Sequence, residues 1–126
     1  MVTTDVAQLS KECNAWRETL RSEKQSIANL DLVLQEIARH QSGEDTLIEI
    51  DHYHNQFYIQ QQNIHDLKHA IRNHHQQVET ETQLHNGQVN DDTITDHERL
   101  YDDYQHLEHT LKDLKDEFTE FIDRNR

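Results

Sequence analysis

The sequence predicts an all-α fold: one helical domain over residues 1–126, built as a long antiparallel three-helix bundle of coiled-coil type. Three observations carry this expectation. The 126 residues include two glycines and no proline, too few turn formers for a sheet protein with its frequent tight connections. Gly43 and Gly87 sit in the polar stretches His40 to Asp45 and Asn86 to Asp92, dividing the chain almost into thirds, as helix stops do. Within each third, apolar residues recur in steps of three and four, the spacing of a helix packed along one face. Helices are therefore expected at about 4–41, 45–85 and 93–124, each about 55 Å long at about 1.5 Å per residue.

The first helix, capped by Thr3 or Thr4, carries its seam on Val6, Leu9, Cys13, Trp16, Leu20, Glu23, Ile27, Leu30, Leu34 and Ile37. The second, with Ser42 and Asp45 at its start, repeats the spacing through Ile50, Tyr53, Phe57, Gln60, Ile64, Leu67, Ile71, His74 and Val78. For the third, Thr95 and Glu98 form a Thr-x-x-Glu capping box ahead of Leu100, Tyr104, Leu107, Leu111, Leu114, Phe118 and Phe121. Short connections make sequential neighbours antiparallel. Turns centred on Gly43 and just beyond Gly87 pair positions summing to about 84 and about 177, which puts Trp16, Leu67 and Leu111 in one layer. The same register sets Glu23 beside Gln60 and Gln61 as a structural polar layer, Glu23 with Gln61, in which the carboxylate must find Gln61, Lys115 or water.

Composition narrows function. With 33% hydrophobic residues and a mean hydropathy of −1.07, the chain can fill a narrow helix-on-helix seam but not the thick core that encloses a typical enzyme pocket. A formal charge of −13, from 25 acids against 12 Lys and Arg, disfavours nucleic acid and anionic membrane surfaces and steers basic proteins toward the chain. The single cysteine, Cys13, excludes an intramolecular disulfide and is read as core, as is Trp16. With no apolar run in the first thirty residues, a cytoplasmic location is expected.

Histidine is over-represented: seven of the eleven lie in the second helix, at 52, 54, 65, 69, 74, 75 and 85. His65 and His69, at i and i+4, have the spacing of a two-histidine chelate, but no third ligand shares their face, and His106 and His109 fall at outward positions. The pair is read as a weak adventitious metal binder, and no cofactor or dedicated metal site is implied. His54, His74 and His75 flank the seam and are read as a hydrated, hydrogen-bonded face.

The segment Ile64-His65-Asp66-Leu67-Lys68-His69-Ala70-Ile71 resembles the phosphoacceptor box of sensor histidine kinase dimerisation domains. It is also similar to the His-x-Leu-Lys of histidine phosphotransfer domains. That resemblance implies His65 as phosphoacceptor, Asp66 as its orienting acid and Lys68 as the charge that screens an incoming phosphoryl group. The likeness spans eight residues; Ala70 replaces the kinase proline, His69 the small residue of phosphotransfer domains, and no nucleotide-binding segment follows.

In architecture alone the chain resembles spectrin-type repeats. The expected function is that of a small acidic interaction or scaffold module without enzyme activity, engaging a protein partner through a groove or helical face, with Tyr58 and Ile59 as off-seam contacts. Homodimerisation is an expected means of thickening the thin seam. Phosphotransfer at His65 is the alternative. A further alternative is mimicry of nucleic acid by the third helix, where twelve acids and five bases span residues 91–126 and Asp102, Asp103, Asp113, Asp116, Glu117, Glu120 and Asp123 run along the rod.

Overall fold

The structure, a computed structural model describing residues 5–125, consists of three helices: α1 (Val6–Arg39), α2 (Glu44–Leu84) and α3 (Asp91–Arg124), of 34, 41 and 34 residues. Among the described residues there is no strand, and α2 packs against both α1 and α3 in an antiparallel three-helix bundle. No helix among the described residues is long and apolar enough to cross a membrane.

The helix ends differ from the expected ones for identifiable reasons. Thr3 and Thr4 lie outside the described residues; Asp5 caps α1, its carboxylate accepting from the Ala7 amide at 3.0 Å. Gly43 is the N-cap of α2 rather than a stop for α1, and no Ser42–Asp45 cap forms; Glu44 and Asp45 instead place negative charge on the exposed amides of the first turn. Asn90 caps α3, so the proposed Thr95–Glu98 box falls inside the helix, where the Thr95 hydroxyl donates to the Asp91 carbonyl at 3.2 Å. Gly87 does end α2: it has φ +86°, next to Asn86 at +56°, and its amide donates back to the Thr82 carbonyl at 2.9 Å.

The seams pack largely as periodicity requires. Leu9, Cys13, Trp16, Leu20, Ile27 and Leu34 are buried on α1, and Ile50, Tyr53, Phe57, Gln60, Ile64, Ile71, His74 and Val78 on α2, while Leu67 is half-buried. Toward the α1–α2 turn the core is aromatic: Tyr53, Phe57, Phe118 and Phe121 meet edge-on at centroid separations of 5.0–5.3 Å. Each such buried side chain contributes about 1.5–3 kcal/mol of transfer free energy.

The α1–α2 register matches the expected one, with Asp31 against His54 and Lys24 against Gln61. The α2–α3 register is displaced by about one turn. Glu81 reaches the Asn90 amide and the Thr93 hydroxyl, and His74 meets His97, so the return begins earlier than expected. Trp16 consequently does not share a layer with Leu111; its ring lies against His97, Tyr101 and Tyr104, at centroid separations of 4.7, 5.8 and 5.8 Å.

Candidate functional site

Two places in the bundle gather chemistry. The first is an open groove of about 640 Å³ between α1 and α2. Arg17 and Arg21, one turn apart on α1, line it opposite Lys68 and Arg72, one turn apart on α2, and His65 and His69 complete its wall. Four of the chain's 12 Lys and Arg thus face one groove of a protein carrying −13 overall. Glu18 is the one carboxylate in its lining and stands 3.6 Å from Arg21. Arg17 is positioned by Asn14 and donates to His75 Nδ1 at 3.2 Å.

The same helix faces run on toward the α1–α2 turn. Beyond a hydrogen bond from Gln61 Nε2 to the Lys24 carbonyl, a smaller hollow holds Ala28, Asp31, His54 and Tyr58, with His54 Nδ1 3.1 Å from the Asp31 carboxylate. Tyr58 is 62% exposed beside it, and Ile59 is also exposed. The result is a strip that is cationic at one end and aromatic at the other.

The residues singled out in the sequence divide between surfaces. His65 and His69 are exposed in the cationic groove, which the half-buried Lys68 also lines, whereas Asp66 lines a separate groove between α2 and α3 with Leu67, Leu107 and His106. The helix turn that brings His65 and Lys68 to one face carries Asp66 to another, so the expected trio is split two to one. His106 and His109 are exposed on α3, the latter 3.4 Å from Asp113. Of the partners expected for Glu23 in the polar layer, it is Lys115 that meets it: Glu23 accepts twice from Lys115 Nζ, at 2.8 and 3.0 Å, while Gln61 turns to the Lys24 backbone. A half-buried carboxylate is compensated better by an ammonium than by a neutral amide, which accounts for the choice of Lys115. The α3 acids Asp102, Asp103, Asp113, Asp116, Glu117, Glu120 and Asp123 are all exposed.

The second place is a cluster contributed by all three helices. Cys13, His74 and His97 are 0%, 5% and 6% exposed, and one donor atom from each lies within 4.8 Å of the others, the one such group of three among the described residues. His97 Nδ1 is 2.9 Å from His74 Nε2 and 4.0 Å from Cys13 Sγ. The opposite nitrogen of the ring, His97 Nε2, has no hydrogen-bond partner and faces the Glu12 carboxylate at 3.7 Å. Burial pushes the Cys13 thiol up to about 11. It also lowers the pKa of both imidazoles, aided at His74 by the facing His97 and opposed at His97 by Glu12, so neutral rings are favoured.

His74 and His75 are therefore buried, not part of a hydrated face. A charged group on either would lose its water, and each ring finds an internal partner instead, His97 for His74 and Arg17 for His75. The signal for the cluster was present in the sequence: Cys13 and His74 already stand on seam positions. His97 and Thr93 simply continue the α3 seam backward from Leu100 in steps of three and four. The expected α3 seam begins at Leu100 and the expected α2–α3 register is about one turn away, so neither brings His97 to His74 and Cys13 in a site assembled across three helices. The chain matches no known protein family, no curated protein and no solved structure.

Proposed function

We propose that this chain is a helical protein-interaction module that receives an acidic segment of a partner protein in the α1–α2 groove. The observation that supports the reading is the concentration of Arg17, Arg21, Lys68 and Arg72 around one groove of an otherwise acidic bundle. The net charge of −13 favours a basic partner at long range, but exposed charges are screened beyond about 8–10 Å at physiological salt. At contact distance the four groove cations decide which sign docks. Tyr58, farther along the strip, supplies an exposed aromatic contact of the type that anchors helix-in-groove recognition. The reading assigns no enzyme activity and places the module in the cytoplasm, where the Cys13 thiol stays reduced.

The test is the charge reversal Arg21→Glu with Arg72→Glu, compared with Asp113→Lys and Asp116→Lys on α3. The partner retained by the immobilised wild-type chain is expected to be released by salt and lost on the groove variant, and to remain bound to the α3 variant. Its cross-linked segment is expected to be acid-rich. Retention by the groove variant, or a basic cross-linked segment, overturns the reading.

One observation favours a second reading, phosphotransfer: His65 is exposed among cations that would screen a phosphoryl group. Under it the imidazole attacks the phosphorus of a partner's aspartyl phosphate or of acetyl phosphate, the carboxylate leaves, and the ring proton passes to water. An acid-labile, base-stable label abolished by His65→Gln and retained in His69→Gln supports it. No label with any such donor removes it.

A further inference from the structure

We infer that Cys13, His74 and His97 form a buried binding site for a divalent d10 cation of zinc type, with Glu12 behind His97 as the group that orients and charge-balances it. The inference does not rest on the groove reading above.

Geometry comes first. Tetrahedral zinc, with bonds of about 2.3 Å to sulfur and about 2.0–2.1 Å to nitrogen, spaces its donors about 3.3–3.6 Å apart. The two measured separations bracket that range: 2.9 Å between the facing imidazole nitrogens and 4.0 Å from His97 Nδ1 to Cys13 Sγ. All three donor atoms lie within 4.8 Å of one another, so side-chain rotations would suffice to bring them onto one ion. They come from three different helices, so an ion here ties α1, α2 and α3 together at one level of the bundle.

As a purely hydrogen-bonded core the cluster is poorly served. Only the His74–His97 contact is short; the thiol contact is long, and buried His97 Nε2 has no hydrogen-bond partner because Glu12 stops at 3.7 Å. Buried polar atoms are ordinarily satisfied. A cation drawn in at Nδ1 polarises the ring and strengthens the attraction of the Nε2 hydrogen for Glu12, the carboxylate–histidine–metal arrangement that fixes the tautomer.

Charge and donor type select the ion. On binding, Cys13 gives its thiol proton to solvent and the sulfur lone pair forms the metal bond. The imidazoles remain neutral. Thiolate and Glu12 place negative charge beside the ion, offset only in part by Arg17, which favours a cation inside a bundle where an unbalanced charge is costly. Thiolate and imidazole donors exclude magnesium and calcium, which take oxygen ligands. Trp16 covers His97 with its ring, while His74 borders an open α2–α3 groove that includes Asp96, giving an ion a route inward and a solvent molecule access to the fourth position.

Cobalt(II) is the probe, because a thiolate ligand gives it a sulfur-to-metal charge-transfer band. The full chain, reduced, stripped with chelator and confirmed helical by circular dichroism, is expected to develop that band to saturation at a single equivalent and to lose it when zinc displaces cobalt. Cys13→Ala is expected to abolish the band and Glu12→Gln to weaken zinc binding about ten- to a hundredfold. The double variant His65→Gln, His69→Gln is expected to keep the band. Absence of the band in the folded wild-type chain overturns the proposal, a result that needs no variant to fold. Persistence of the band in Cys13→Ala, or its loss in the double surface variant, overturns it equally.

Discussion

Among individual residues, Glu81 bears directly on how α2 and α3 meet. It is buried near the end of α2, yet its carboxylate accepts from the Asn90 amide at 2.8 Å, the Thr93 hydroxyl at 2.7 and 2.8 Å, and Gln77 Nε2 at 2.9 Å. Asn90 makes no side-chain cap of its own, so Glu81 serves the start of α3 from across the turn. Burial alone would push this carboxyl up; the hydrogen bonds from Thr93, Asn90 and Gln77 outweigh it and hold the pKa below the ordinary 4.5. A carboxyl depressed in the folded state stabilises fully above its unfolded value, and that stability is lost as pH falls through the folded value. Glu81→Gln is accordingly expected to cost about 1.5–3 kcal/mol at neutral pH, the range for hydrogen bonds to a charged group, with the deficit shrinking in acid. Urea unfolding of both chains at neutral and acid pH measures it; a deficit that stays constant with pH would show that the charge is not the cause. Nothing in the sequence marked Glu81, because a glutamate near a helix end is read as a solvated group until its acceptor role is seen.

At the scale of elements, the seams were legible and the turns less so. Apolar side chains at steps of three and four announce which face is buried, because removal of apolar area from water dominates the packing of long helices. Register depends on a few polar contacts at the turns, which periodicity does not encode. The α1–α2 pairing followed from Gly43, whereas Asn86 and Gly87 in left-handed conformation, with the Glu81 clamp, moved α3 by about one turn and carried Trp16 away from Leu111. That displacement aligned His97 with His74 and Cys13: the seam spacing of the three residues was legible in the sequence, but the expected register did not bring them together. The cationic groove was hidden differently: Arg17 and Arg21 are far in sequence from Lys68 and Arg72, and only the antiparallel pairing makes them neighbours. The two glycines, alike in sequence, should respond oppositely. Gly87 has φ +86°, so Gly87→Ala is expected to destabilise by about 1–2 kcal/mol. Gly43 has φ −70° as an N-cap, and an added Cβ meets only Thr46 Oγ1 at 3.8 Å, so Gly43→Ser is expected to stabilise by a few tenths of a kcal/mol. Thermal unfolding of the two variants tests the assignment, and equal effects would contradict it.

At the scale of the whole molecule, charge is distributed asymmetrically: cations gather in the α1–α2 groove, and a row of exposed carboxylates runs along α3. At neutral pH the total of −13 opposes contact between copies despite the complementary patches. Acidification adds positive charge through the histidines, but not all eleven contribute alike, since burial holds His74 and His97 neutral further into acid. The net charge still shrinks toward the sequence pI of 5.1, where the long-range repulsion is smallest and contact between the cationic groove of one copy and the acidic helix of another is least opposed. Light scattering is therefore expected to report a larger mass near about pH 5 than near about pH 7.5, and added salt is expected to reverse the increase by screening the patches. The groove reversal Arg21→Glu with Arg72→Glu should reduce the acid-induced association, because it removes the patch without touching the histidines. A mass unchanged across this pH range would mean that loss of net repulsion does not suffice for association. An increase that survives both salt and the groove reversal would assign it instead to exposed apolar side chains such as Ile48 and Tyr58, whose contacts salt does not screen.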